Sequence, residues 1–111
     1  MTVAELIERL RGLPQHLPAI AYNDGFPLPA KADLLVSDLA FPGLPGSVPV
    51  VIIEAGSQAM TVADLIETLG QFDGGLPAVV YDDSVYDPAE PSLVPPGDFR
   101  WHLFEQESVV I

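Results

Sequence analysis

Cysteine is absent from the 111-residue chain, which excludes disulfides, thiolate metal sites and cysteine nucleophiles. Cations are nearly absent too: Lys31, Arg9, Arg11 and Arg100 stand against sixteen Asp and Glu, for a formal net charge of −12. Binding to nucleic acid or to an anionic membrane needs clustered cations that displace counterions, and four scattered ones form no such patch. Neither partner is expected. No apolar run approaches the roughly 18 residues needed to cross a bilayer. Met1 leads straight into a capped amphipathic segment, not into a charged stretch followed by an apolar one, so no secretion signal is read and a cytoplasmic protein is expected.

What is present is a globular composition. Apolar residues make up 49% of the chain and charged ones 18%, with aromatics spread along its length. A chain of this size buries about two thirds of its unfolded surface, enough for a real core. Scarce Lys beside abundant Ala, Pro, Gly, Leu and Val suits a GC-rich genome, and the acidity would equally suit a halophile.

The chain repeats itself. Residues 1–24, MTVAELIERLRGLPQHLPAIAYND, align without a gap on residues 60–83, MTVADLIETLGQFDGGLPAVVYDD, at an offset of 59 and with 13 of 24 positions identical. At the same offset Pro29–Leu34 (PAKADL) meets Pro88–Leu93 (PAEPSL), and with one residue removed Val51-Ile52-Ile53 meets Val109-Val110-Ile111. Residues 1–55 and 60–111 thus read as two copies in one domain, with 56–59 as the junction. A tandem duplication that read through the second start codon is the simplest history.

Each copy has a readable order. Thr2 with Glu5, and Thr61 with Asp64, place a hydroxyl N-cap three residues before a carboxylate, so a helix starts at each. Val3, Leu6, Ile7, Leu10 and Leu13, and likewise Val62, Leu65, Ile66, Leu69 and Phe72, recur at helical spacing as an apolar stripe. Leu17–Tyr22 and Leu76–Tyr81 read as strands that enter tight turns. A weaker strand is expected at Leu34–Leu39, with its counterpart at Phe99–Phe104, and a strong one at Val48–Glu54, with its counterpart at Ser108–Ile111. The proline-rich stretches Phe41–Pro49 and Asp87–Gly97 read as loops. Short polar connections favour antiparallel neighbours. The expected fold is α+β: an internally duplicated helix-strand-strand-strand unit with pseudo-two-fold symmetry, a mostly antiparallel sheet, and two helices on one face.

The MTV-Ala-Glu-Leu-Ile-Glu opening, followed by Leu-Pro and a short strand that ends in acidic residues, is present in Met1–Asp24 and again in Met60–Asp83. It resembles a group of small uncharacterised proteins from actinobacteria and their phages. The resemblance implies an origin, and no activity or site residues.

Motifs that carry chemistry are sparse. His16 falls in a helix-to-strand loop and is Gly75 in the other copy, so it reads as a surface histidine, whereas His102 sits in an alternating run, Asp98–Phe104, and reads as packing. Asp82, Asp83, Asp87 and Glu90 are the densest acidic cluster, but their spacing is not that of an EF-hand, so they read as a solvated turn and no metal or cofactor is expected. No serine lies in Gly-x-Ser-x-Gly, and Gly43-Leu44-Pro45-Gly46 lacks the Lys of a phosphate loop. No catalytic residues are assigned.

The functional expectation is a non-enzymatic acidic accessory protein, phage-encoded or prophage-derived, that binds another protein. Its charge would steer it to a basic partner, as in an inhibitor of a host factor or a defence system. The alternatives are a virion or assembly component, and an enzyme or small-molecule binder that uses a cleft between the copies. The chain would be a monomer or a homodimer. Shared positions are explained by the fold, so function is sought where the copies differ: Tyr86, Arg100 and Trp101, with Asp82, Asp83 and Asp87 beside them, form the expected protein-binding patch.

Overall fold

A computed structural model describes residues 1–24, 26–36, 49–82, 85–94 and 107–111. It holds α1 (Val3–Arg11), β1 (Ala19–Asn23), β2 (Phe26–Leu35), β3 (Val50–Ala55), α2 (Val62–Leu69), β4 (Ala78–Asp82), β5 (Val85–Pro88), β6 (Ser92–Val94) and β7 (Ser108–Val110). The fold is α+β.

Both helices start where the hydroxyls predict. The Glu5 amide donates to Thr2 Oγ1 at 3.2 Å and the Thr2 amide to Glu5 Oε1 at 3.0 Å; the Asp64 amide donates to Thr61 Oγ1 at 3.1 Å and the Thr61 amide to Asp64 Oδ2 at 3.1 Å. Each reciprocal pair satisfies amides that the first turn leaves without partners. These bonds to Thr2 hold the Glu5 carboxyl below its ordinary range. The helices end earlier than their apolar stripes, at Gly12 and Gly70, so Leu13 and Phe72 pack on the core from beyond the last turn.

The seven strands form one sheet in the order β5-β4-β3-β2-β1-β7-β6. It is mixed: of the six strand pairings among the described residues, β1–β2, β2–β3, β4–β5 and β6–β7 are antiparallel, while β3 pairs parallel with β4, and β1 with β7. The two end strands, β5 and β6, are neighbours in sequence with 89–91 between them, a reach of at most about 14 Å at full extension. The sheet therefore curls until its two ends approach each other.

Strand β2 corrects the sequence expectation, which placed a weaker strand at Leu34–Leu39. The observed strand begins eight residues earlier and contains Pro27 and Pro29. The Gly56 amide donates to the Pro29 carbonyl at 2.6 Å, so the Pro29 edge faces β3 one residue beyond its end, where a missing N–H breaks no ladder. Pro27 lies further out along the same edge. In the second half the stretch read as a loop, Asp87–Gly97, holds the end of β5 and all of β6, and the break between them falls where Pro91 takes the place of Ala32. The expected strand at Phe99–Phe104 lies outside the described residues.

Pairings recur between corresponding residues. Asp33↔Ile52, Leu34↔Val51 and Leu35↔Val50 in β2–β3 correspond to Ser92↔Val110, Leu93↔Val109 and Val94↔Ser108 in β6–β7. Ala78↔Val51 and Val79↔Ile52 in β4–β3 correspond to Ala19↔Val109 and Ile20↔Val110 in β1–β7. One cluster forms the core. Val3, Leu6 and Leu10 of α1 and Val62, Leu65 and Leu69 of α2 are fully buried against Ala19, Ala21, Ala30, Val51, Ile53, Ala78 and Val109 from the strands and Ala89 from between β5 and β6. Both helices thus cover the same side of the sheet, and the alanines keep that side shallow enough for them. A second, smaller cluster, Val50, Ile52 and Val79 with Leu35, Tyr81 and Tyr86, occupies the opposite side of β3–β5.

Candidate functional site

The site forms where the β1–β2 and β4–β5 hairpins meet. In the first, Asn23 pairs with Phe26, leaving a two-residue turn whose Asp24 has a positive φ of 52°, the left-handed conformation that Asp tolerates better than most residues. In the second, Asp82 pairs with Val85. The Asp24 amide donates to Asp82 Oδ1 at 2.9 Å across 58 residues of sequence, which ties the first turn to the end of β4.

Beside this tie lies a cleft of about 220 Å³ lined by Tyr22, Val80, Asp82, Asp87, Pro88, Glu90 and Ile111. A smaller hollow of about 140 Å³ adjoins it, lined by Tyr22, Asn23, Glu54, Ala55 and Tyr81. Tyr22 lines both, and partial burial raises its phenol pKa above the ordinary value. The four carboxylates of these hollows differ in their neutralisation. Glu54 pairs with Lys31 Nζ at 3.3 Å and Glu90 with an Arg9 nitrogen at 3.8 Å. Among the described residues no Lys or Arg lies within 4 Å of Asp82 or Asp87. Lys31 is itself shared with Asp33 at 3.5 Å, and the Glu54 hydrogen bond, then the Glu54 and Asp33 charges, raise its pKa.

Of the residues singled out from sequence, Asp82 and Asp87 come together in the 220 Å³ cleft with Glu90. Tyr86 does not join them. It stands directly opposite Tyr81, ring centroids 5.0 Å apart and tilted by 54°, within the cluster that also holds Val79. Asp87 stands opposite Val80, and since side chains alternate along a strand, the two carboxylates and the tyrosine pair occupy opposite sides of β4–β5. Asp83, Arg100 and Trp101 lie outside the described residues, as does His102. Sequence reasoning passed over Tyr22 and Tyr81 because they occupy identical positions in the two copies and function was sought in the differences.

A larger cleft, about 310 Å³, lies elsewhere, between the start of α2 and β1, lined by His16, Pro18, Ala19, Ile20, Pro29, Ala59, Met60, Thr61 and Asp64. His16 is exposed there, and the Asp64 carboxylate is already engaged by the Thr61 amide. No group of three or more His, Asp or Glu among the described residues is arranged to hold a metal ion. No described helix is long and apolar enough to cross a membrane. No protein-family model, curated protein or solved structure matches the chain.

Proposed function

We propose that the protein is a non-enzymatic, acidic accessory protein that binds a basic segment of another protein in the cleft between its two hairpins. The observation that carries this reading is that Asp82 and Asp87 line a cleft with no Lys or Arg beside them among the described residues, whose cations, Arg9, Arg11 and Lys31, are all paired with carboxylates. Two carboxylates next to an apolar floor of Val80, Pro88 and Ile111 suit the charged head and methylene stem of a Lys or Arg side chain. The net charge of −12 adds long-range steering toward such a partner. A phage-encoded or prophage-derived inhibitor of a basic host or defence protein is the biological setting this chemistry suits.

The same reading takes the chain as an internal duplication whose halves, 1–55 and 60–111, close on each other about a pseudo-two-fold axis. It is supported by the 13 identities in the opening 24 residues and by strand pairings that recur between corresponding residues, with one residue removed before β7. The cleft then lies where the symmetry breaks: Asp82, Asp87 and Glu90 stand where the first half has Asn23, Leu28 and Lys31.

Capture from host lysate tests the binding role. The wild-type chain is expected to retain a basic protein that Asp82→Asn with Asp87→Asn releases, while the variant keeps its fold because an amide oxygen still accepts the Asp24 N–H. Equal capture by the wild type and the double variant would refute the assignment of the cleft.

A further inference from the structure

The two halves are joined by main-chain hydrogen bonds that come in corresponding pairs. Val3 N donates to Leu76 O at 2.9 Å and Val62 N to Leu17 O at 2.9 Å; Ala4 N donates to Gly74 O at 3.0 Å and Ala63 N to Gln15 O at 3.1 Å. Ala19 N donates to Met60 O at 2.9 Å and Ala78 N to Met1 O at 3.0 Å, while Val51 N donates to Pro77 O at 2.9 Å and Val109 N to Pro18 O at 2.8 Å. The isolated bridges Thr2↔Pro77 and Pro18↔Thr61 correspond in the same way. Behind these bonds lie matching buried residues from both halves: Val3 and Val62, Leu6 and Leu65, Leu10 and Leu69, Val51 and Val109. By contrast, the covalent link between the halves is short and peripheral. Ser57, Gln58 and Ala59 are exposed, between a Gly56 held by Pro29 and a Met60 held by Ala19.

We infer that this surface accepts a second copy of the chain: two molecules open at residues 56–59 and exchange halves, the first half of one closing on the second half of the other. Every cross-half hydrogen bond and every buried pair is kept in the exchanged dimer, and only the path of the exposed junction changes. The balance between monomer and dimer is then set by junction geometry and by the entropy of association, which concentration offsets. Like charge opposes the exchange, because each copy carries −12, so salt favours the dimer. That is the opposite of the salt response of a basic partner in the acidic cleft. The inference rests on the cross-half pairing and not on the cleft, so either can fail without the other.

The test uses the intact chain carrying a protease site inserted between Ser57 and Gln58. Unlabelled and isotopically heavy protein are mixed in denaturant, refolded over a series of concentrations, and separated by size. A dimer is expected whose fraction rises with refolding concentration and with salt, and in which mixed-isotope pairs appear at the statistical proportion. Cleavage of that dimer should give monomer-sized particles in which one fragment of each kind stays associated, some with a light first half on a heavy second half. Three outcomes would each overturn the inference: no dimer at any concentration, a dimer that keeps its size after cleavage, or cleaved halves that separate and unfold. An uncleaved insertion variant that fails to fold would also overturn it, because the junction would then be part of the structure and not a hinge.

Discussion

Replacing Leu65 or Leu6 by alanine probes the core from each half. Both are fully buried, on opposite helices, in one cluster. The truncation removes three carbon atoms, worth about 2.4 kcal/mol of transfer free energy at roughly 0.8 kcal/mol for each buried methylene. The void adds about 24 cal/mol for each Å³ that the surroundings fail to fill. Here they fill little, because many of the cluster's other members are alanines, Ala19, Ala21, Ala30, Ala78 and Ala89, whose side chains have no rotamer to swing into the space. Each variant should therefore fall in the upper part of the usual range of about 2 to 5 kcal/mol, near 4 kcal/mol. That is a large share of a domain's total stability of about 5 to 15 kcal/mol. Urea unfolding followed by circular dichroism should show a lower midpoint with an unchanged slope. A loss below about 1 kcal/mol for either variant would refute the burial argument, since a deletion from a tight core does not go unnoticed.

Other perturbations follow from single contacts. Thr2→Ala and Thr61→Ala each remove a cap and should cost about 1 kcal/mol in the same urea assay, with Ser restoring most of it. The Glu5 carboxyl is held below its ordinary pKa by its bonds to Thr2, so its contribution is present above the unfolded-state value and is lost as pH falls through the folded one; the acid limb of stability should flatten in Glu5→Gln. Lys31 is raised by Glu54 and Asp33, so its contribution is present below the ordinary lysine pKa and lost as pH climbs through the folded value; Lys31→Met should remove that alkaline sensitivity. A double-mutant cycle on Tyr81 and Tyr86 should give a coupling of about 0.5 to 1.5 kcal/mol for their tilted ring contact.

Local chemistry was legible in the sequence wherever one residue type has one physical use. The threonine caps, the hairpin turn at Asn23-Asp24 and the apolar stripes at Val3, Leu6 and Leu10 were all readable. Strand β2 was not, because proline argues against a strand unless the missing N–H falls past the end of the neighbouring ladder, and that depends on where β3 stops. The parallel pairs β3–β4 and β1–β7 were hidden for a related reason: they join the halves, and hydrophobic periodicity reports which face of a strand is buried, not which strand lies beside it. The acidic residues of the site were found by their density. Tyr81 and Tyr86 were divided from them by strand alternation, since Tyr86 and Asp87 are adjacent in sequence and so point to opposite sides of the sheet.

In the proposed role the cleft between the hairpins, and not the acidic surface at large, receives a basic segment. Amide chemical shifts recorded while an arginine-rich peptide is titrated into the isotopically labelled chain test it most directly. Shifts should concentrate at Tyr22, Val80, Asp82, Asp87, Glu90 and Ile111, fade as salt rises from about 50 to 200 mM, and be lost in the Asp82→Asn, Asp87→Asn variant. Shifts of equal size at Glu8, Asp33 and Glu67, or an affinity unchanged in that variant, would contradict it.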